Sequence, residues 1–181
     1  RPRLRLIHGS PFYAFEHGGI KFIGWDSATP QDPRPSIAAE GLAWLDSELN
    51  ATPDRQPIIF FSHHPLDGAE FASGYDTARL LERLKSKNIV LLLAGHGHGR
   101  RSWKIGGINT IMGGSTYGDK RGFGIVSIQD GMLRACHQLI EPVAGQAAQL
   151  AQLEKPIARA SAFPPSPSVS PGDGAIFPEG E

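Results

Sequence analysis

Four of the seven histidines fall in two tight clusters, Ser62-His63-His64-Pro65 and Gly95-His96-Gly97-His98. Imidazole is a neutral nitrogen donor near pH 7 and the commonest metal ligand among side chains, so histidines gathered in this way point to a metal. Residues two apart in an extended chain project to the same side, which would aim His96 and His98 at one spot. His63 and His64 are adjacent, and Pro65 favours extended geometry before it, so these two are expected to face opposite ways and not to share one ion. A helical zinc site would space its histidines by four, and the sequence contains no His-Glu-x-x-His.

Both clusters directly follow short apolar runs, Pro57 to Phe61 and Ile89 to Ala94, so each is predicted to sit where a buried strand ends. Between the runs, Asp76 to Lys87 carries Leu80, Leu81 and Leu84 at helical spacing, and Asn88 stops it. Strand, helix, strand predicts a parallel pair joined by a right-handed crossover. Upstream, Phe12 to Phe15 and Ile20 to Trp25 flank the turn-forming Glu16-His17-Gly18-Gly19 and predict a hairpin. A Pro-rich loop from Pro30 to Pro35 leads to Ser36, a candidate cap for a helix with Leu42, Leu45 and Leu49 on one side. Arg101 to His137, punctuated by three glycine-bearing turns, predicts an antiparallel meander. Residues 1–141 are therefore expected to fold, and 142–181 to form a linker or disordered tail: Ala144 to Lys155 as a marginal helix, and Pro156 to Glu181 as a Pro/Ser/Gly-rich stretch.

At 181 residues with 40% hydrophobic content, the chain suits one domain with a sizeable core. Its formal net charge of zero argues against a general electrostatic grip on nucleic acid. No apolar run approaches the ~20 residues that span a bilayer. A single cysteine, Cys136, excludes an internal disulfide and is expected as an apolar strand residue. His8, His17 and His137 are isolated and are expected as surface or satisfied core histidines. Asp26, at a strand end, has two readings: a simple cap of a loop or helix entry, which is favoured, and a carboxylate that orients a ligand histidine. The chain starts with Arg1, not Met, and an upstream portion is expected.

The ordered set of segments resembles the later half of a calcineurin-like metallophosphoesterase domain. Ser62-His63-His64-Pro65 matches the family's apolar-x-His-x-Pro segment and Gly95 to His98 its Gly-His-x-His segment, with further likeness at Tyr13 to Glu16, Ile20 to Ser27, Leu42 to Leu45 and Gly113-Gly114-Ser115. The resemblance implies an α/β fold, a sandwich of mixed β-sheets flanked by helices with its N-terminal portion missing. It also implies His63, His96 and His98 as metal ligands, which leaves His64 either as a group that, like Asp26, orients a ligand or faces the substrate, or as a plain loop residue. Two divalent or mixed-valence transition-metal ions (Mn, Fe or Zn) are implied, about 3.5–4 Å apart, with metal-bound hydroxide attacking a small-molecule phosphomonoester or phosphodiester. The family's Asp-x-His, Gly-Asp-x-x-Asp and Gly-Asn-His segments are absent from the sequence, so no catalytic residue is assigned within it; the general-acid histidine and bridging carboxylate are expected upstream. The isolated chain is accordingly expected to be inactive. The other readings are a non-catalytic metal- or protein-binding module on the same scaffold, and a mononuclear zinc hydrolase using the three histidines.

Overall fold

The computed structural model describes residues 9–29, 32–35, 37–67, 73–118, 121–142, 145 and 147–157. Their centre is a six-stranded sheet. Strands β1 (Tyr13–His17) and β2 (Ile20–Trp25) form the predicted hairpin through Gly18 and Gly19, whose φ values of 56° and 75° make glycine the natural occupant of the turn. A short ladder follows, β3 (Ala28–Thr29) with β4 (Asp32–Pro35), where only a loop was expected. Helix α1 (Ala39–Ala51) leads into β5 (Ile58–Ser62), helix α2 (Gly74–Lys85) and β6 (Ile89–Ala94).

The order across the sheet is β1-β2-β5-β6-β8-β7, with β7 (Arg100–Ile105) and β8 (Ile108–Gly113) at the far edge. β2, β5, β6 and β8 run parallel to one another, and the antiparallel strands β1 and β7 close the two sides. The parallel strands therefore deliver Trp25, Ser62, Ala94 and Gly113 to the same end of the sheet. Loops that leave that end are where α/β folds build their sites.

The helices seal one face. Leu42, Leu45 and Leu49 of α1 and Leu80 and Leu84 of α2 pack on Ile23, Ile58, Phe60 and Leu92. Fully buried side chains of this kind each contribute about 1.5–3 kcal/mol over an exposed position. Between the helices, Arg83 grips Asp46 with two bonds of 2.7 and 3.2 Å. Ser73 caps α2 by accepting the Asp76 N–H at 3.0 Å, whereas Ala38 precedes α1 without a side-chain cap. The predicted cap, Ser36, lies outside the described residues.

The opposite face meets a second sheet of order β11-β10-β9, formed by β9 (Gly122–Gln129), β10 (Met132–Leu139) and β11 (Gln149–Pro156). Leu133, Ala135 and Ile157 pack there on Ile20, Ile59, Val90, Leu91 and Ile111. The predicted meander is thus divided between two sheets: the β7–β8 hairpin stays with the parallel strands, and the β9–β10 hairpin crosses over. The second sheet covers its partner incompletely, leaving Tyr13 at 51% and Phe15 at 48% exposure.

Two sequence expectations change here. Gln149–Pro156 is a strand and not part of a helix, because pairing along β10 from Met132 to Gln138 outweighs the weak helical preference of Ala, Gln and Leu. Ordered structure consequently runs past Glu141 to Ile157. Residues 158–181, most of the expected tail, lie outside the described residues. Among the described residues no helix is long and apolar enough to cross a membrane.

Candidate metal centre

The site is assembled where β5 and β6 end side by side. The Gly95 N–H donates to the His63 carbonyl at 2.8 Å, which fastens the two histidine-bearing loops together. A Cβ at Gly95 would stand 3.3 Å from both that carbonyl oxygen and the His63 ring Nδ1, so a side chain here would press on the His63 ring and carbonyl and require a small shift of one of them. Next, the Gly97 N–H donates across His96 to the Gly95 carbonyl at 2.8 Å, and His96 has φ 67°. This is the positive φ of a γ-turn, a rare and strained bend. His98 follows at φ 54°. Two non-glycine residues in the left-handed region within one turn cost on the order of 1–3 kcal/mol each, a strain that clusters at functional sites. The Gly-His-Gly-His segment is therefore a coiled turn, and its rings are placed by that turn and not by the extended projection expected from the sequence.

The consequence is convergence of a set different from the one expected. His96 Nδ1 lies 3.4 Å from His63 Nε2. His64 brings a third ring: one ring nitrogen from each of His63, His64 and His96 falls within 4.8 Å of the other two. The chain bends at His63 and His64, so the two neighbours do not face opposite ways; their rings meet edge to face at 82° with centroids 4.9 Å apart. His63 and His96 are exposed, and His64 is only 2% exposed. His98 is exposed and stands outside this group, although its charge is felt by His63. Burial first, then the nearby charges on His96 and His98, lowers the His63 pKa, which keeps that imidazole neutral with a lone pair to offer.

Asp26 lies in the segment that follows β2, but its Oδ1 accepts the Ala28 N–H at 3.0 Å and turns the chain into β3; it is not a member of the three-ring group. The residue that sequence reasoning passed over is its neighbour Ser27. Its hydroxyl accepts the His64 N–H at 3.1 Å and lies 2.9 Å from His64 Nδ1. The only sequence signal was position: a small polar residue just beyond the end of a parallel strand. Beside the site, Arg101 ties β7 to the loop after Pro65 by an ion pair of 2.6 Å to Asp67, with its guanidinium 4.1 Å over Trp103.

The remaining histidines divide. His17 is exposed, as expected, and His8 lies outside the described residues. His137 is fully buried, and among the described residues neither ring nitrogen has a hydrogen-bond partner, so it is not the satisfied core residue expected. Tyr75 and Tyr117 point largely to solvent at 73% and 83% exposure.

This donor set suits a transition-metal cation: imidazole nitrogens at one strand end, two of the rings accessible. Comparison with known proteins gives the chain's relatives. The family described as calcineurin-like phosphoesterase matches residues 3–100, more than half of the chain. A probable cyclic nucleotide phosphodiesterase of Rhodococcus erythropolis is 31% identical over 107 residues, covering 56% of this chain and 35% of its own. A probable glycerophosphodiester phosphodiesterase of Arcobacter nitrofigilis is 31% identical over 85 residues, covering 44% of this chain and 31% of its own. The chain thus spans about a third of the length of these relatives. Among solved structures, a purple acid phosphatase from yellow lupin seeds superposes with a TM-score of 0.56 at 13% identity, over 77% of this chain and 32% of that one, which shows a shared fold.

Proposed function

The chain belongs to the calcineurin-like phosphoesterase family, and from that premise we propose that it supplies the histidine side of the metal centre of a phosphoesterase. The observation that carries the reading is the 3.4 Å approach of His63 Nε2 to His96 Nδ1 across the ends of two parallel strands. His63 and His96 would hold a cation. His98, exposed on the same strained turn, is the third ligand we assign. Manganese, iron and zinc all accept imidazole nitrogen. When bound, such ions polarise the phosphoryl group and lower the pKa of water.

The chain's own contribution is placement. The Gly95 to His63 bond fixes the separation of the two loops, and the lowered His63 pKa keeps that ring unprotonated. The substrate we infer is a phosphodiester, since both relatives named above are described as acting on diesters. The family resemblance also calls for two ions, a bridging carboxylate and a proton donor. The three clustered rings include no carboxylate, so those groups would come from elsewhere in the protein. The same all-imidazole composition favours, as a second reading, a module that binds metal without turnover.

An assay with chromogenic phosphomonoester and phosphodiester substrates separates the two. The protein with its natural flanking sequence is expected to turn over the diester in a metal-dependent way, and His96→Ala is expected to abolish this. The 181-residue chain alone is expected to bind metal without turnover. Metal-dependent turnover by the chain alone, lost in His96→Ala, would instead favour a three-histidine mononuclear site. Absence of turnover by the flanked protein despite bound metal would favour the binding module.

A further inference from the structure

Three imidazoles converge, but the hydrogen bonds around one of them give it a different task. His64 is clamped at three points by buried groups. Its backbone N–H donates to Ser27 Oγ at 3.1 Å, its carbonyl accepts from Ser62 Oγ at 2.6 Å, and its ring Nδ1 lies 2.9 Å from Ser27 Oγ. Ser27 and His64 are 1% and 2% exposed.

The hydroxyl proton of Ser27 decides the tautomer. The backbone N–H of His64 already donates to this oxygen, and among the described residues the hydroxyl makes no hydrogen bond except with His64. A buried hydroxyl left without an acceptor costs about 1–3 kcal/mol, so Ser27 donates its proton to His64 Nδ1. A neutral imidazole that accepts at Nδ1 carries its own proton on Nε2. Neither nitrogen then has a lone pair for a metal.

We propose that Ser27 and His64 form a positioning pair beneath the metal ligands: Ser27 fixes His64 as the Nε2–H tautomer, and the His64 ring holds the His63 and His96 rings in place without coordinating the ion. The ring contacts support this, with His64 edge-on to His63 at 4.9 Å and inclined over His96 at 4.5 Å between centroids. The inference rests on reading the cluster as a metal centre. It removes His64 from the ligand set that proximity alone would give, and it assigns Ser27 a role.

The test uses nitrogen-15-labelled protein with its natural flanking sequence, and long-range proton–nitrogen correlation of the histidine rings. Without metal, and above the ordinary histidine titration range, His64 should carry its proton on Nε2. Ser27→Ala should release that preference and weaken zinc binding by roughly tenfold, as loss of a partner behind a metal ligand does, and Ser27→Thr should restore both. On addition of zinc, the His63 and His96 nitrogens should shift and the His64 pattern should not. A metal-free His64 protonated on Nδ1, or a His64 nitrogen that coordinates zinc, overturns the proposal; the wild-type spectrum decides this even if Ser27→Ala fails to fold. Zinc that shifts none of the three rings contradicts the metal reading alone, because the tautomer is read before zinc is added.

Discussion

The histidines at the ends of β5 and β6 and the histidine in the middle of β10 contrast in almost every respect. His63, His64 and His96 gather at a loop junction with two rings open to solvent. His137 is sealed against two glycines, beside Arg100, whose Nη1 is likewise buried and unpartnered. Burial lowers the pKa of both His63 and His137, and in each case it is the largest cause. Only the first region also has converging donors, access and a strained backbone. A depressed histidine pKa is therefore not by itself a mark of function; it becomes one where several rings share a junction that a ligand can reach.

Zinc should give the largest separation between the two regions. At a free concentration a hundredfold above its dissociation constant, it should stabilise the wild-type protein by about 2.7 kcal/mol. His96→Ala should lose this stabilisation and His137→Leu should keep it, as read from denaturant unfolding with and without zinc. An equal zinc effect in both variants would erase the contrast.

Packing around His137 comes next. A Cβ at Gly122 would lie 2.2 Å from His137 Nε2 and 2.4 Å from the Gln138 carbonyl oxygen. Overpacking of this kind costs roughly 1–3 kcal/mol, so Gly122→Ala should lower stability without changing zinc affinity. Gly95→Ala should do the reverse, since its Cβ would press on the His63 ring and carbonyl at 3.3 Å and disturb the junction more than the core.

The smallest expected effect concerns pH. Burial and then the Arg100 charge lower the His137 pKa, and the Gly113 backbone opposes them. The folded value lies below the unfolded one of about 6.5, so both states hold a neutral ring at higher pH and no stability changes there. As pH falls through the unfolded value, the unfolded chain takes a proton that the folded chain resists. Stability declines until the folded pKa is reached. His137→Leu should flatten that decline, and should be neutral or slightly stabilising above it because two unpaired buried nitrogens are removed. A wild-type profile that is as flat as the variant's would show that His137 is not strained by burial.

Much of this was legible in the sequence because the signals were local. Apolar runs bounded by Pro57, Asn88 and the histidine segments located β5 and β6, and the leucine spacing located both helices. Convergence of His63 with His96 followed from strand-end placement. Other features were set by contacts distant in sequence. β11 carries mixed Ala, Gln and Leu and becomes a strand only by lying along β10. Ser27 acquires meaning from His64, which is 37 positions away. The expected alternation in Gly95 to His98 failed because the turn departs from extended geometry at both histidines, a backbone choice that residue types do not announce.

The central claim, that His63 and His96 hold a metal in a shell that excludes His64, is most directly tested by zinc-edge X-ray absorption on the zinc-loaded protein. Imidazole nitrogens should appear at about 2.0–2.1 Å, with the outer-ring scattering of histidine reduced in His63→Ala and in His96→Ala and unchanged in Ser27→Thr. A zinc environment that is identical in wild type, His63→Ala and His96→Ala, or a protein that retains no zinc, would contradict the account.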